Sequence, residues 1–379
     1  MTDAAGLFGL LAERRIVVCC GSGGVGKTTT AAALALAGAL VGRRACVVTV
    51  DPARRLADAL GAGAIGNVPH RLPVAAPGEL WAVMLDAKGT FDDLVRRYAA
   101  DDAQAERILT NRLYRNLVGA LSGTQEYMAT EKLYELHEQG DFDLIVVDTP
   151  PTRHALDFLD APRRLTGFLD NRVFRLLVSP GRAYLRAMTL AAQLLLRTLA
   201  RVAGSEIVED TVAFFQAFEG MEQGFRERAG LVERLLAEAA TGFVLVAAPR
   251  RESVVEAEFL AKRLKDLGHG IDALVVNRVL SGFDRPSPLG RRFDLPEGTG
   301  APRLDVAGGA AWDALVANLA ELGALGAAEE RLVASLAAAF PARVLRVPEL
   351  ATDVHDLEVL EALARHLLGG QDAGAPGRG

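Results

Sequence analysis

Cysteine is scarce. Cys19, Cys20 and Cys46 are the whole complement of a 379-residue chain. No C-x-x-C pair occurs, so neither a cysteine zinc site nor an iron–sulfur cluster is supported. The cysteines lie in apolar runs that read as buried strands, where a thiol packs as a small hydrophobic group. Neighbours in a strand point to opposite faces, which sends Cys19 and Cys20 to different sides. So few thiols fit a reducing compartment. Long apolar runs are lacking too: none approaches the roughly 20 residues that a membrane span needs. The stretch from Met1 to Arg15 carries Asp3 before its apolar patch and its arginines after it, the reverse of a signal peptide. A cytoplasmic protein is the expectation. Excess positive charge is also missing. A net charge of −6 speaks against nucleic acid as the main partner. With 50% hydrophobic and 24% charged residues, the chain reads as globular, of one large or two ordinary domains.

What is present is a glycine loop. Gly21-Ser22-Gly23-Gly24-Val25-Gly26-Lys27-Thr28 follows the apolar run from Ile16 to Cys20. It opens through Thr29 and Thr30 into an alanine- and leucine-rich segment. Strand, glycine loop and helix in that order make a phosphate-binding loop. Glycines let backbone N–H groups turn inward around phosphates. The helix adds the positive end of its dipole. Gly23, Gly24, Val25, Gly26, Lys27, Thr28 and Thr29 are therefore candidate nucleotide contacts. Lys27 would reach the β- and γ-phosphates, and the Thr28 hydroxyl would ligate Mg²⁺. ATP and Mg²⁺ are the expected ligands.

Further along, Ala45 to Val50 is a continuous apolar run that ends on Asp51. Phe142 to Val147 reads as another buried strand, and it ends on Asp148. Such runs suit the strands of a parallel sheet, whose carboxyl ends bind ligands. A strand-tip aspartate near a phosphate loop holds Mg²⁺, usually through water. Leu80–Leu85, Gly242–Ala247, Ile271–Val279 and Arg343–Val347 also read as strands, and residues 61–78 as loop. Alternating strands and helices imply an α/β fold: a P-loop NTPase with a mainly parallel sheet flanked by helices. A helical subdomain would be inserted at about 89–140 and 163–240 of a single domain spanning 1–370, with 371–379 a disordered tail.

These residues resemble the deviant Walker-A ATPases. Within them they resemble the ArsA family, which holds the arsenite-pump ATPase and the tail-anchored-protein targeting ATPase. The loop from Gly23 to Thr29 carries the resemblance. So do Asp51-Pro52-Ala53 with Leu56 and Asp58, similar to switch I, and Asp148 to His154 with Phe158, Leu159 and Pro162, similar to switch II. Asn277 looks like the adenine-contacting asparagine, and Pro348-Glu349-Leu350 like the adenine loop. The resemblance implies that Asp51 is the catalytic residue that orients or activates the attacking water, and that Asp148 holds the Mg²⁺ shell. With Lys27 and Thr28 these are the catalytic and metal candidates. It further implies a dimer that closes over ATP and opens after hydrolysis, coupled to a hydrophobic protein client or a membrane partner.

Departures from the family pattern narrow this. The family has a lysine at the position of Ser22, which reaches across the dimer. Serine can do neither that nor supply charge. The sequence looks most like a bacterial branch occurring as unlike pairs. A heterodimer with a lysine-bearing paralogue is expected over a homodimer. The helical region has no cysteine, so arsenite activation is not expected, and five methionines do not make a methionine-rich groove. Arg153 replaces a switch-II glycine. From Arg182 to Arg201 an arginine stripe runs along an otherwise apolar helix, which fits burial in the helical region or a docking groove. No mechanism attaches to Gly123-Thr124-Gln125-Glu126, which also reads as a turn opening a helix, nor to His154. A positioning or partitioning ATPase acting on membrane or DNA, a small-molecule kinase or ligase, and a nucleotide-sensing scaffold are the alternatives.

Overall fold

A computed structural model describes residues 7–50, 55–61, 65–112, 114–115, 123–171, 205–280, 310–340, 342–350, 354 and 356–369. One sheet is formed by β1 (Ile16–Gly21), β2 (Arg44–Thr49), β3 (His70–Leu72), β4 (Glu79–Met84), β5 (Leu144–Asp148), β6 (Thr241–Ala247), β7 (Ala273–Val279) and β8 (Arg343–Pro348). The order across the sheet is β3-β4-β2-β5-β1-β6-β7-β8. Neighbours run parallel except β3 and β4, which are antiparallel. β3 corrects the expectation of an unbroken loop over 61–78. Only Leu72 of its residues is buried, so no apolar run marks it.

The helices are α1 (Phe8–Glu13), α2 (Lys27–Leu40), α3 (Arg55–Ala59), α4 (Ala87–Tyr98), α5 (Asp102–Leu109), α6 (Thr124–Gln139), α7 (Thr152–Leu169), α8 (Ser205–Ala217), α9 (Glu222–Ala237), α10 (Arg251–Asp266), α11 (Ala310–Ala339) and α12 (Leu357–Leu367). The period-two alternation of each strand divides the core. Val17, Cys19, Val47 and Val146 pack with α2 and α12 on one face. Ile16, Val18, Cys20 and Cys46 pack with α6, α7, α9 and α10 on the other. Cys19 and Cys20 thus lie on opposite faces, as their adjacency implies. Among the described residues, no helix is long and apolar enough to cross a membrane.

A third apolar cluster lies among helices alone. Leu94 and Val95 of α4, Ile108 of α5, Met128 of α6, Phe214 of α8 and Phe225 of α9 belong to it. Its polar fastening centres on the buried Arg228–Glu131 pair. Arg228 of α9 donates through Nε to Glu131 of α6 at 2.8 Å and through Nη1 to Glu138 at 2.8 Å. Its guanidinium also lies over the Tyr134 ring, 4.0 Å from the centroid. The Tyr127 hydroxyl donates to the other oxygen of Glu131. Asp51, the 182–201 stripe, most of the 280–304 stretch and the 371–379 tail lie outside the described residues.

Candidate functional site

β1 is central in the sheet, so the loop that leaves its carboxyl end stands among the ends of β5, β6 and β7. Gly26 is the N-cap of α2, with φ 91° and no side-chain cap. The first N–H groups of a helix have no partner within it, so here they face whatever the loop holds. Gly26 has a second reason to be glycine. A Cβ there would run into Nδ2 of Asn277. That amide donates to the Val25 carbonyl at 2.8 Å, while its Oδ1 accepts from the Arg278 N–H at 3.0 Å. Asn277, at the end of β7, therefore clamps the glycine loop from the side.

Lys27 begins α2 and is buried. Its Nζ donates to the Ser22 carbonyl at 2.7 Å, which folds the side chain back across the loop. Gly23 and Gly24 are exposed above it, and Thr28 and Thr29 are partly exposed beside it. The positive charge thus sits beneath an open, glycine-lined rim next to an uncapped helix end. This donor set fits a phosphate chain.

Asp148 ends β5 and is 1% exposed. Thr49, opposite it in register on β2, donates through Oγ1 to Asp148 Oδ2 at 2.8 Å. Next along, the Thr149 hydroxyl donates to the Cys19 carbonyl at 2.6 Å. The Cys19 thiol reports the field here. Burial pushes its pKa up first, the Asp148 carboxylate and Cys20 push it further, and the Lys27 ammonium draws it down. Lys27 and Asp148 therefore both act on one sulfur, which brings the loop cation and the strand-tip anion into one neighbourhood. No group of three His, Cys, Asp or Glu side chains among the described residues could cage a metal. A Mg²⁺ that arrives with a nucleotide takes few protein ligands, since phosphate oxygens and waters fill its shell. The Thr28 hydroxyl and the Asp148 carboxylate suit that use.

Pro348 pairs with Val279 across β8 and β7, and the Glu349 N–H donates to the Val279 carbonyl at 3.0 Å. The 348–350 stretch thereby stands beside Asn277, with Glu349 and Leu350 exposed. Ser22 points inward. It is 8% exposed, and its Oγ lies 3.2 Å from Ser253 Oγ at the start of α10. Ser253 in turn accepts from the Ala248 N–H at 2.9 Å. The structure thus gathers the glycine loop, Asp148, Asn277 and 348–350 at one edge of the sheet. Asp51 and the side chains of residues 152–154 lie outside the described ones.

The sequence profile of the family described as "Anion-transporting ATPase" matches residues 14–287. The chain belongs to the anion-transporting ATPase family. Among its relatives, "ATPase GET3" of Malassezia globosa is 27% identical over 70% of this chain and 72% of that protein. "ATPase ARSA1" of Chlamydomonas reinhardtii is 27% identical over 71% of this chain, which spans only 35% of the algal protein. "Putative arsenical pump-driving ATPase 1" of Aquifex aeolicus is 23% identical over 70% of this chain and 63% of that protein. Membership of this ATPase family agrees with the glycine loop and the parallel sheet, and it makes the chain a nucleotide-using protein. Sequence reading missed Thr49 and Ser253 as parts of this edge. The signal for Thr49 was a hydroxyl at the tip of an apolar run.

Proposed function

We propose that this chain binds Mg·ATP at the glycine loop and hydrolyses its terminal phosphoanhydride bond. The arrangement of the loop carries this reading: buried Lys27 under an exposed glycine rim, at an uncapped helix start, near Asp148. Loop N–H groups from Gly23 to Thr29 cradle the phosphates, and Lys27 Nζ exchanges the Ser22 carbonyl for phosphate oxygens. Thr28 and Asp148, the latter oriented by Thr49, would hold a Mg²⁺ that arrives with the nucleotide, and that ion would supply positive charge to offset the charge developing on the phosphates. Asp51, which follows β2 in the chain, orients the attacking water and accepts its proton. Asn277 spends one amide N–H on Val25, so its second donor can meet the base, next to 348–350.

The test is phosphate release by the purified chain with Mg·ATP, beside Asp51→Asn. That variant should bind ATP normally and lose turnover by about 10²–10⁴-fold, the usual weight of a positioned general base. Turnover unchanged in Asp51→Asn would remove the role.

The chain acts as half of a dimer whose closing over ATP and opening after hydrolysis drives a hydrophobic client or a membrane partner. The inward hydrogen bond of Ser22 favours an unlike partner, because this side chain offers nothing to a neighbouring subunit. The chain alone should turn ATP over measurably but below its full rate, and a lysine-bearing paralogue should raise that rate. An ATP-dependent homodimer with full turnover would overturn the heterodimer. Slow turnover that no partner raises would favour the nucleotide-sensing scaffold.

A further inference from the structure

The Gly123-Thr124-Gln125-Glu126 run has a place in the fold that its sequence does not explain. Gly123, with φ 101°, is the N-cap of α6. Glu126 reaches back to accept from the Gly123 N–H at 3.1 Å, so the first turn is closed on itself. The second residue of that turn is Gln125. Its Nε2 donates to the Val50 carbonyl at 3.0 Å, 75 residues earlier in the chain. Val50 is the residue between β2 and Asp51. It is 1% exposed, and its N–H donates to the Asp148 carbonyl at 3.2 Å. Both polar groups of Val50 are thus spoken for, one by the strand that carries Asp148 and one by α6. Held through both its N–H and its carbonyl, Val50 anchors the carboxyl end of β2.

We propose that Gln125 is a positioning residue for hydrolysis, acting through the carboxyl end of β2. The proposal rests on the nucleotide reading above. Two observations support a role in positioning rather than in folding. Gln125 is exposed, so it adds little to the core. The same helix is tied to α9 through Glu131 and Arg228, so α6 links the helical cluster to the Val50 carbonyl.

Gln125→Ala and Gln125→Glu test this. The glutamate keeps the shape but has no N–H to donate, so a packing role would survive in it. Both variants should lower kcat by about tenfold, the size of a lost hydrogen bond at a reacting centre, with KM for ATP unchanged. Hydrogen exchange gives a readout that needs no turnover. In the native chain, Mg·ATP should slow exchange over residues 21–34 and over 44–61. In both variants it should slow only the first. Native kcat and native slowing over 44–61 in the variants would overturn the proposal, as would a glutamate variant that behaves like the native chain. Absence of slowing over 21–34 in the native chain would instead sink the nucleotide site itself, and this inference with it.

Discussion

Lys27→Ala should abolish useful ATP turnover while leaving the protein folded. Lys27 is buried at the start of α2, and its Nζ spans the loop to the Ser22 carbonyl. The ammonium therefore has two tasks. It holds the loop in shape through the Ser22 carbonyl, and in the proposed function it would supply the charge that meets the β- and γ-phosphates. Alanine keeps the Cβ and the helix, so the packing of α2 against the sheet is spared. What goes is one preorganised donor at the place where negative charge builds up. Loss of such a donor lowers kcat by about 10²–10³-fold. Arginine should not rescue it, since a planar fork does not fit the space of a compact ammonium under the rim. Phosphate release and ATP binding, read together with circular dichroism, check this. A folded Lys27→Ala protein with near-native turnover would sink the proposed site.

Arg228→Met should cost about 3–5 kcal/mol of stability, the range for leaving one half of a buried ion pair behind. Arg228 and Glu131 are 4% and 1% exposed, and methionine fills the stem's volume without its charge. Glu138 is 51% exposed and adds little, because water screens it. The loss should depend on pH. Burial already raises the pKa of Glu131, against the hydrogen bonds from Tyr127 and Arg228 and the charges of Arg228 and Arg97. Without Arg228 the pKa goes higher still. A carboxyl whose folded pKa lies above its unfolded one stabilises the fold below the ordinary carboxylate range and loses that contribution as pH rises. The deficit of Arg228→Met should therefore be larger at pH 8 than at pH 5. Adding Glu131→Gln should recover most of it, since a neutral amide needs no cation. Urea unfolding of the variants at both pH values measures this. A deficit that is small or independent of pH would show that the pair contributes little.

Much of the fold was legible because parallel strands buried on both faces announce themselves as unbroken apolar runs. The glycine loop was legible for a different reason: its chemistry needs adjacent residues, so the whole signal is local. β3 was hidden because His70 and Arg71 are exposed and only Leu72 is buried. The site's supporting contacts were hidden by distance along the chain. Thr49 meets Asp148 across 99 residues, and Ser22 meets Ser253 across 231. Nothing in either local pattern specifies the other. Asn277 was read as a contact for the base, and its hold on Val25 could not be seen until β7 was placed beside β6. The Gly123 run was noticeable as a sequence, yet its partner is a backbone carbonyl, and a carbonyl carries no residue type to recognise.

The three sulfurs, finally, make the middle of this sheet its own witness. Cys19, Cys20 and Cys46 are each 0% exposed in β1 and β2. Burial pushes the Cys20 thiol up to about 12, and those of Cys19 and Cys46 upward too. A maleimide or disulfide reagent needs a thiolate it can touch, and the closed protein presents none. The chain is thus silent to thiol labelling, so a cysteine placed on its surface would report alone. When the native sulfurs do react, β1 and β2 have parted from their neighbours, and the rate of that reaction counts the openings of the strands that carry the site.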